Sequence, residues 1–75
     1  MREYVTEALV LAKEPVREFD ARVSLYTALL GKVRAIVTSA RKPTSKLAPH
    51  LEPLSCAMVR LVEKGGMHLT DALRT

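Results

Sequence analysis

The sequence predicts an all-β domain of five strands with one short helix between the third and fourth strands. Apolar and polar residues alternate with the two-residue period of a strand in residues 22–26, 32–38 and 55–63. Gly31 and the pair Gly65 and Gly66 lie next to these stretches, at positions where a hairpin turn needs a residue with positive φ. Prolines interrupt the chain at the ends of several predicted elements. These three observations together favour a β-sheet protein.

The first strand covers residues 4–13, a nearly continuous apolar run with two β-branched residues. An extended chain puts alternate residues of this run on opposite sides: Val5, Glu7, Leu9 and Leu11 on one, Ala8, Val10 and Ala12 on the other. A helix is the alternative, because Ala, Leu and Glu are good helix formers. Pro15 is expected to end either element.

Residues 22–26 and 32–38 form the second and third strands, which a turn over residues 27–31 joins into a hairpin. One face of this hairpin is apolar, with Val23, Leu25, Val33, Ala35 and Val37. The other face displays Arg22, Ser24, Tyr26 and Arg34. The hairpin therefore has one side for a core and one side for solvent or a ligand.

A short helix is expected over residues 45–53, between the third and fourth strands. Ser45 can cap it, Leu47 and Leu51 share a stripe, and Pro49 is tolerated in the first turn. Pro53 closes the helix, and residues 55–63 and 67–73 then form the last two strands around a glycine turn. The order β-β-β-α-β-β is that of the five-stranded oligonucleotide/oligosaccharide-binding barrel, the OB-fold.

Length and composition restrict the function classes. Residues 1–75 make one small domain, and its single cysteine, Cys56, excludes an internal disulfide and indicates an intracellular protein. Cys56, His50 and His68 have no metal-ligand spacing, so no metal or other cofactor is expected. No apolar run approaches the length of a membrane span, and no signal peptide is recognisable. Cys56 and Phe19 are expected in the core, and both histidines on the surface or partly packed.

Positive charge is concentrated in residues 21–51, which contain no Asp or Glu and six basic residues: Arg22, Lys32, Arg34, Arg41, Lys42 and Lys46. Concentrated positive charge attracts polyanions, and Lys or Arg that neutralise phosphates release condensed counterions. Nucleic acid is therefore the first partner to consider. The alternative is that the uneven distribution of charge belongs to a solvated face that binds no ligand.

The basic residues divide into two groups by position. On the hairpin, Arg22, Lys32 and Arg34 are placed to contact phosphates, while Tyr26 either stacks with a base or covers one end of the barrel. In the following loop, Arg41, Lys42 and Lys46 either track a nucleic acid backbone or are simply solvated. Catalysis has little support, because no carboxylate pair is fixed in a pocket and neither histidine has an evident nucleophile to activate.

A central run of short motifs resembles the N-terminal domain family of the bacterial recombination mediator RecO. The run comprises Gly-Lys-Val-Arg-Ala at 31–35, Ala-Arg-Lys-Pro at 40–43, Ser-Lys-Leu at 45–47 and Leu-Glu-Pro at 51–53. Upstream, Leu-Val-Leu at 9–11, Asp20 and the strand at 23–27 are similar to the family's opening. Downstream, the glycine pair and Leu-Thr-Asp-Ala at 69–72 fit its last barrel strand. Ser39 stands where the family more often has glycine.

This resemblance implies an OB-fold domain that binds single- and double-stranded DNA, helps to anneal complementary strands and takes part in recombinational repair. It implies a bacterial, cytoplasmic and nucleoid-associated protein whose partners are DNA and the mediator RecR, with no membrane. The resemblance also implies a helical C-terminal domain that carries the contact with single-strand-binding protein, and this domain is expected to be absent from these 75 residues. Two alternatives stay open: a module that docks a RecR-like partner without binding DNA, and self-assembly through Met58, Val62 and Leu73.

Overall fold

The computed structural model describes residues 1–38 and 48–74, which form five strands and one short helical turn. The strands are β1 (Arg2–Val16), β2 (Asp20–Thr27), β3 (Gly31–Val37), β4 (Cys56–Glu63) and β5 (Met67–Arg74). They make one sheet that closes into a ring in the order β1-β2-β3-β5-β4. The all-β class and the five strands are thereby confirmed, and the strand order is compatible with an OB-fold.

β1 is the longest strand and pairs with two neighbouring strands. Its first half, through Leu9, pairs antiparallel with β4, and its second half, from Ala8 onward, pairs antiparallel with β2. The register with β2 shifts between Val10 and Ala12, and such a bulge bends a strand and increases its twist. Residues 2–16 are therefore a bent strand rather than a helix. Pro15 does not end it, because β1 continues to Val16 and the chain turns only at Arg17, where φ is 58°.

The hairpin of β2 and β3 matches its prediction. Gly31 has φ 70°, and Thr27 ties the turn together, its hydroxyl donating to the Gly31 carbonyl at 2.8 Å and accepting from the Leu30 N–H at 2.9 Å. The second glycine turn is also confirmed, with Gly65 and Gly66 at φ 61° and 129° between β4 and β5. Both turns use the left-handed region that glycine reaches at no steric cost.

The interior of the ring holds the inward-facing residues of all five strands: Ala8, Val10, Ala21, Val23, Leu25, Ala35, Val37, Ala57, Val59, Leu61, Leu69 and Ala72. Leu51, from the connection between β3 and β4, joins them and is fully buried. Strand alternation sends the other residues outward. On β1, for example, Val5 and Leu11 are exposed while Val10 is buried.

The α-helix predicted between the third and fourth strands is not found in the described part of that connection, which holds one turn of 3-10 helix, Ala48–His50. Pro49 and Pro53 leave only three residues between them, and a proline disfavours helical geometry in the residue before it. Leu51 turns into the core, while Leu54 has φ 71° and is 77% exposed. Ser45 and Leu47 lie outside the described residues.

Two predicted core residues lie at the surface instead. Cys56 is exposed, because it alternates with Ala57, whose side chain faces inward. Phe19 is 40% exposed, because it lies in the turn between β1 and β2 rather than in a strand. Of the residues considered for self-assembly, Leu73 is 63% exposed, whereas Met58 and Val62 are half-buried. Among the described residues, no helix is long and apolar enough to cross a membrane.

Candidate nucleic-acid interface

The outer face of the β2–β3 hairpin carries four of the predicted site residues: Arg22, Tyr26, Lys32 and Arg34. The antiparallel register puts Tyr26 opposite Lys32 and Ser24 opposite Arg34. Alternation explains the placement, because the residues between them face the core. The loop residues Arg41, Lys42 and Lys46 lie outside the described residues, so their role stays a prediction.

The three basic side chains of this face differ in their pairing. Within residues 1–38 and 48–74, neither Lys32 nor Arg34 makes an ion pair, and both are exposed. Arg22 is paired: its Nη1 lies 3.3 Å from Oε1 of Glu14, which stands opposite it on β1. The adjacent strand β1 therefore brings an acidic side chain next to the segment that contains no acidic residues. The charge pattern of the sequence did not predict this contact.

A groove joins this face to the glycine turn between β4 and β5. It has a volume of about 170 Å³, and its lining includes Arg22, Arg34, Gly65 and Gly66. The Lys64 N–H donates to the Gly66 carbonyl at 2.8 Å and closes the turn. Apart from the adjacent residues of the chain, no described atom lies within 4 Å of where a Cβ would stand on either glycine. Bare backbone beside two guanidinium groups leaves room for a sugar-phosphate chain to approach closely.

The seam between β3 and β5 extends the same surface. These strands run parallel and pair only at Ile36 and His68 within the described residues. A second groove, of about 440 Å³, lies along the seam, and its lining includes Thr38, Lys64 and Thr70. His68 is half-buried, as expected from the sequence. Lys64, His68 and the two glycines were missed as site residues, because only closure of the ring brings β5 beside β3.

Tyr26 stands at the other end of the hairpin face. It is 61% exposed and borders a groove of about 320 Å³ whose lining also includes Glu7, Leu9 and Cys56. A residue this exposed covers little of the barrel, so its ring is available for stacking. In the part of the chain that the structure describes, the outer face thus combines positive charge that makes no ion pair, a groove beside bare backbone and the accessible ring of Tyr26.

A metal centre has no support in the described part of the chain, where no three side chains of His, Cys, Asp or Glu come together. Cys56 is exposed but stands without a second thiol, since the sequence contains one cysteine.

A closed five-stranded sheet with a basic, grooved outer face defines a small all-β domain whose strand order is compatible with the OB-fold. Comparison with known proteins identifies the family to which this domain belongs. The chain belongs to the family described as Recombination protein O N terminal, whose model matches residues 1–74. The resemblance noted in the sequence is thereby confirmed.

Several curated relatives carry the name DNA repair protein RecO. The chain is 40% identical over 62 residues to the protein of Geobacter metallireducens, a match that covers 83% of this chain and 25% of that protein. It is 41% identical over 61 residues to the protein of Geobacter sulfurreducens, covering 81% and 25%. For Heliobacterium modesticaldum the identity is 40% over 63 residues, covering 84% and 23%. The chain spans about a quarter of the length of these relatives.

Proposed function

We propose that this chain is the non-catalytic DNA-binding domain of a RecO-type DNA repair protein. It binds single- and double-stranded DNA mainly through phosphates and so supports strand annealing and recombinational repair, in the bacterial cytoplasm at the nucleoid. The observation that carries the proposal is the hairpin face, where Lys32 and Arg34 are exposed and make no ion pair among the described residues. Membership of the Recombination protein O N-terminal family supports it.

Counterion release is the main source of binding free energy when DNA binds to such a face. Each Lys or Arg that neutralises a phosphate frees condensed counterions, and this term does not depend on sequence. Among the described residues, Lys32 and Arg34 have no carboxylate to give up, whereas Arg22 must exchange Glu14 for a phosphate. Because phosphates are common to both forms of DNA, the same contacts serve single strands and duplexes, and neutralising them reduces the repulsion between two strands that anneal.

Titration of a labelled single-stranded oligonucleotide and of a duplex at several salt concentrations tests the proposal. With roughly four phosphate contacts, the logarithm of the binding constant should fall against the logarithm of salt concentration with a slope near −3 for single strands. The duplex slope should be near −3.6 for the same contacts. A flat response to salt, or no binding at low salt, would contradict the proposal.

A second candidate function, docking of a RecR-like mediator, is favoured by an apolar surface on the β1, β4 and β5 part of the ring. Val5 and Leu73 are exposed there and line one groove together with Met58. Leu29, in the turn between β2 and β3, is also exposed and lines a neighbouring groove with Val5 and Met58. Exposed apolar patches commonly mark protein interfaces. From the resemblance to the family, we expect the contact with single-strand-binding protein on a C-terminal domain rather than on this surface.

The two candidates are separable, because their surfaces share none of these residues. Leu73→Asp should abolish capture of the chain by a purified RecR-type protein and leave DNA affinity within about twofold. Arg34→Ala should weaken DNA binding by about fivefold and leave capture by the RecR-type protein unchanged. If the chain binds no DNA at low salt but is captured by the mediator, the docking function replaces DNA binding.

A further inference from the structure

A row of three side chains crosses the seam between β3 and β5 on the outside of the ring. Ile36 of β3 pairs with His68 of β5, and His68 pairs in turn with Val62 of β4. All three are half-buried, and the neighbour of Ile36 on β2 is Arg22. The row is therefore a continuation of the basic hairpin face, with a flat imidazole between two aliphatic side chains.

His68 stands where two grooves meet. Ile36 and His68 line both the groove of about 170 Å³ beside the arginines and the groove of about 440 Å³ along the seam. The imidazole Nε2 lies 3.2 Å from the carbonyl oxygen of Lys64, so the ring is tied to the turn between β4 and β5. A ring held in this way gives up little rotamer freedom when a ligand packs against it.

We propose that this row is a subsite for one unpaired nucleobase of single-stranded DNA. The base stacks on His68 between Ile36 and Val62, and Arg34 and Lys64 meet the flanking phosphates. The inference rests on the proposed DNA-binding function and adds to it a preference for single-stranded over double-stranded DNA. Bases of a duplex are already stacked and paired, whereas an unstacked base can lie on an aromatic side chain such as histidine.

The chemistry of the surrounding side chains fits a base better than an apolar peptide. Lys64 stands at the rim of the larger groove and Arg34 in the smaller one, which complements a polyanion. Thr38 and Thr70 line the larger groove and offer hydroxyls to the polar edge of a base. The Thr70 hydroxyl donates to the Arg60 carbonyl at 3.4 Å, which leaves its oxygen free to accept.

The test compares oligothymidine with an abasic oligonucleotide that has the same number of phosphates. A length of about 12 nucleotides suits the site size of OB-type domains. At one fixed salt concentration, the whole chain should bind oligothymidine at least about fivefold more tightly, because one stacked base contributes about 1–3 kcal/mol. His68→Ala should lower this ratio by about fivefold, and His68→Phe, which keeps a flat ring, should restore most of it. Leu73→Ala, an exposed change elsewhere on β5, is the matched control.

The outcomes separate the subsite from the proposed function. If both oligonucleotides bind the unmodified chain equally, with a steep dependence on salt, the subsite is overturned and phosphate binding stands. If the ratio survives His68→Ala but is lost in Tyr26→Ala, stacking occurs on the hairpin and the subsite is again overturned. If neither oligonucleotide binds at low salt, the DNA-binding function fails and the subsite fails with it.

Discussion

Glu14 offers an informative perturbation, because its removal should strengthen DNA binding. Its carboxylate holds Arg22 at 3.3 Å, and Arg22 lines the groove that we assign to the DNA backbone. To contact a phosphate, Arg22 must first leave this carboxylate. Glu14→Gln removes the competing charge and keeps the size of the side chain.

The magnitude follows from the exposure of the pair. The side chains of Arg22 and Glu14 are 43% and 63% exposed, and ion pairs of this kind contribute about 0.2–1 kcal/mol. Breaking this ion pair should therefore tighten DNA binding by roughly 1.4- to 5-fold. If Arg22 then makes a full phosphate contact, the salt slope for single strands should steepen by about 0.7.

Fluorescence anisotropy with a labelled single-stranded oligonucleotide, repeated over a range of salt concentrations, measures both quantities. Glu52→Gln is the matched control, because it makes the same change in net charge and also breaks an exposed ion pair, between Lys13 and Glu52 at 3.6 Å. Lys13 lies on the opposite side of β1 from Glu14. The reasoning is refuted if Glu14→Gln leaves affinity unchanged, or if Glu52→Gln tightens binding to the same extent.

The remaining predictions concern the hairpin face and the core. Arg34→Ala should weaken single-strand binding by about fivefold at 0.1 M salt and flatten the salt slope by about 0.7, and an unchanged slope would place the contact elsewhere. Leu51→Ala should lower the free energy of unfolding by about 2–5 kcal/mol in chemical denaturation, whereas Leu54→Ala should change it by less than about 0.5 kcal/mol, because the first side chain is fully buried and the second is 77% exposed. Thr27→Val should cost about 1–3 kcal/mol in the same assay, because it deprives two backbone groups of the turn of their partner, and a cost near zero would contradict the role of this hydroxyl.

Local patterns were sufficient to predict the strands and the outward orientation of the face that carries the candidate site. The two-residue period of Val23, Leu25 and the residues between them specifies which side of β2 faces the core, and this needs no knowledge of distant neighbours. Gly31 likewise identifies its turn by itself, because few other residues adopt a positive φ. For the same reason, the sequence was enough to place Arg22 and Arg34 outside the ring.

Features that depend on distant parts of the chain could not be predicted. Glu14 meets Arg22 only through the register of β1 against β2, which a bulge shifts. The side chain of Leu51 is fully buried in a core that all five strands build, and the residues next to Leu51 in the sequence do not specify this burial. His68 lies beside the candidate site because β3 and β5 pair in parallel, and this pairing exists only because the sheet closes.

The central claim is that DNA lies across the hairpin face and the adjoining glycine turn. Amide chemical-shift mapping of the isotope-labelled chain during titration with a single-stranded oligonucleotide tests it most directly. The account predicts the largest shifts at Arg22, Lys32, Arg34, Gly65 and His68, and small shifts at Val5, Met58 and Leu73 on the apolar surface. Shifts concentrated on that apolar surface, or no shifts at low salt, would contradict the account.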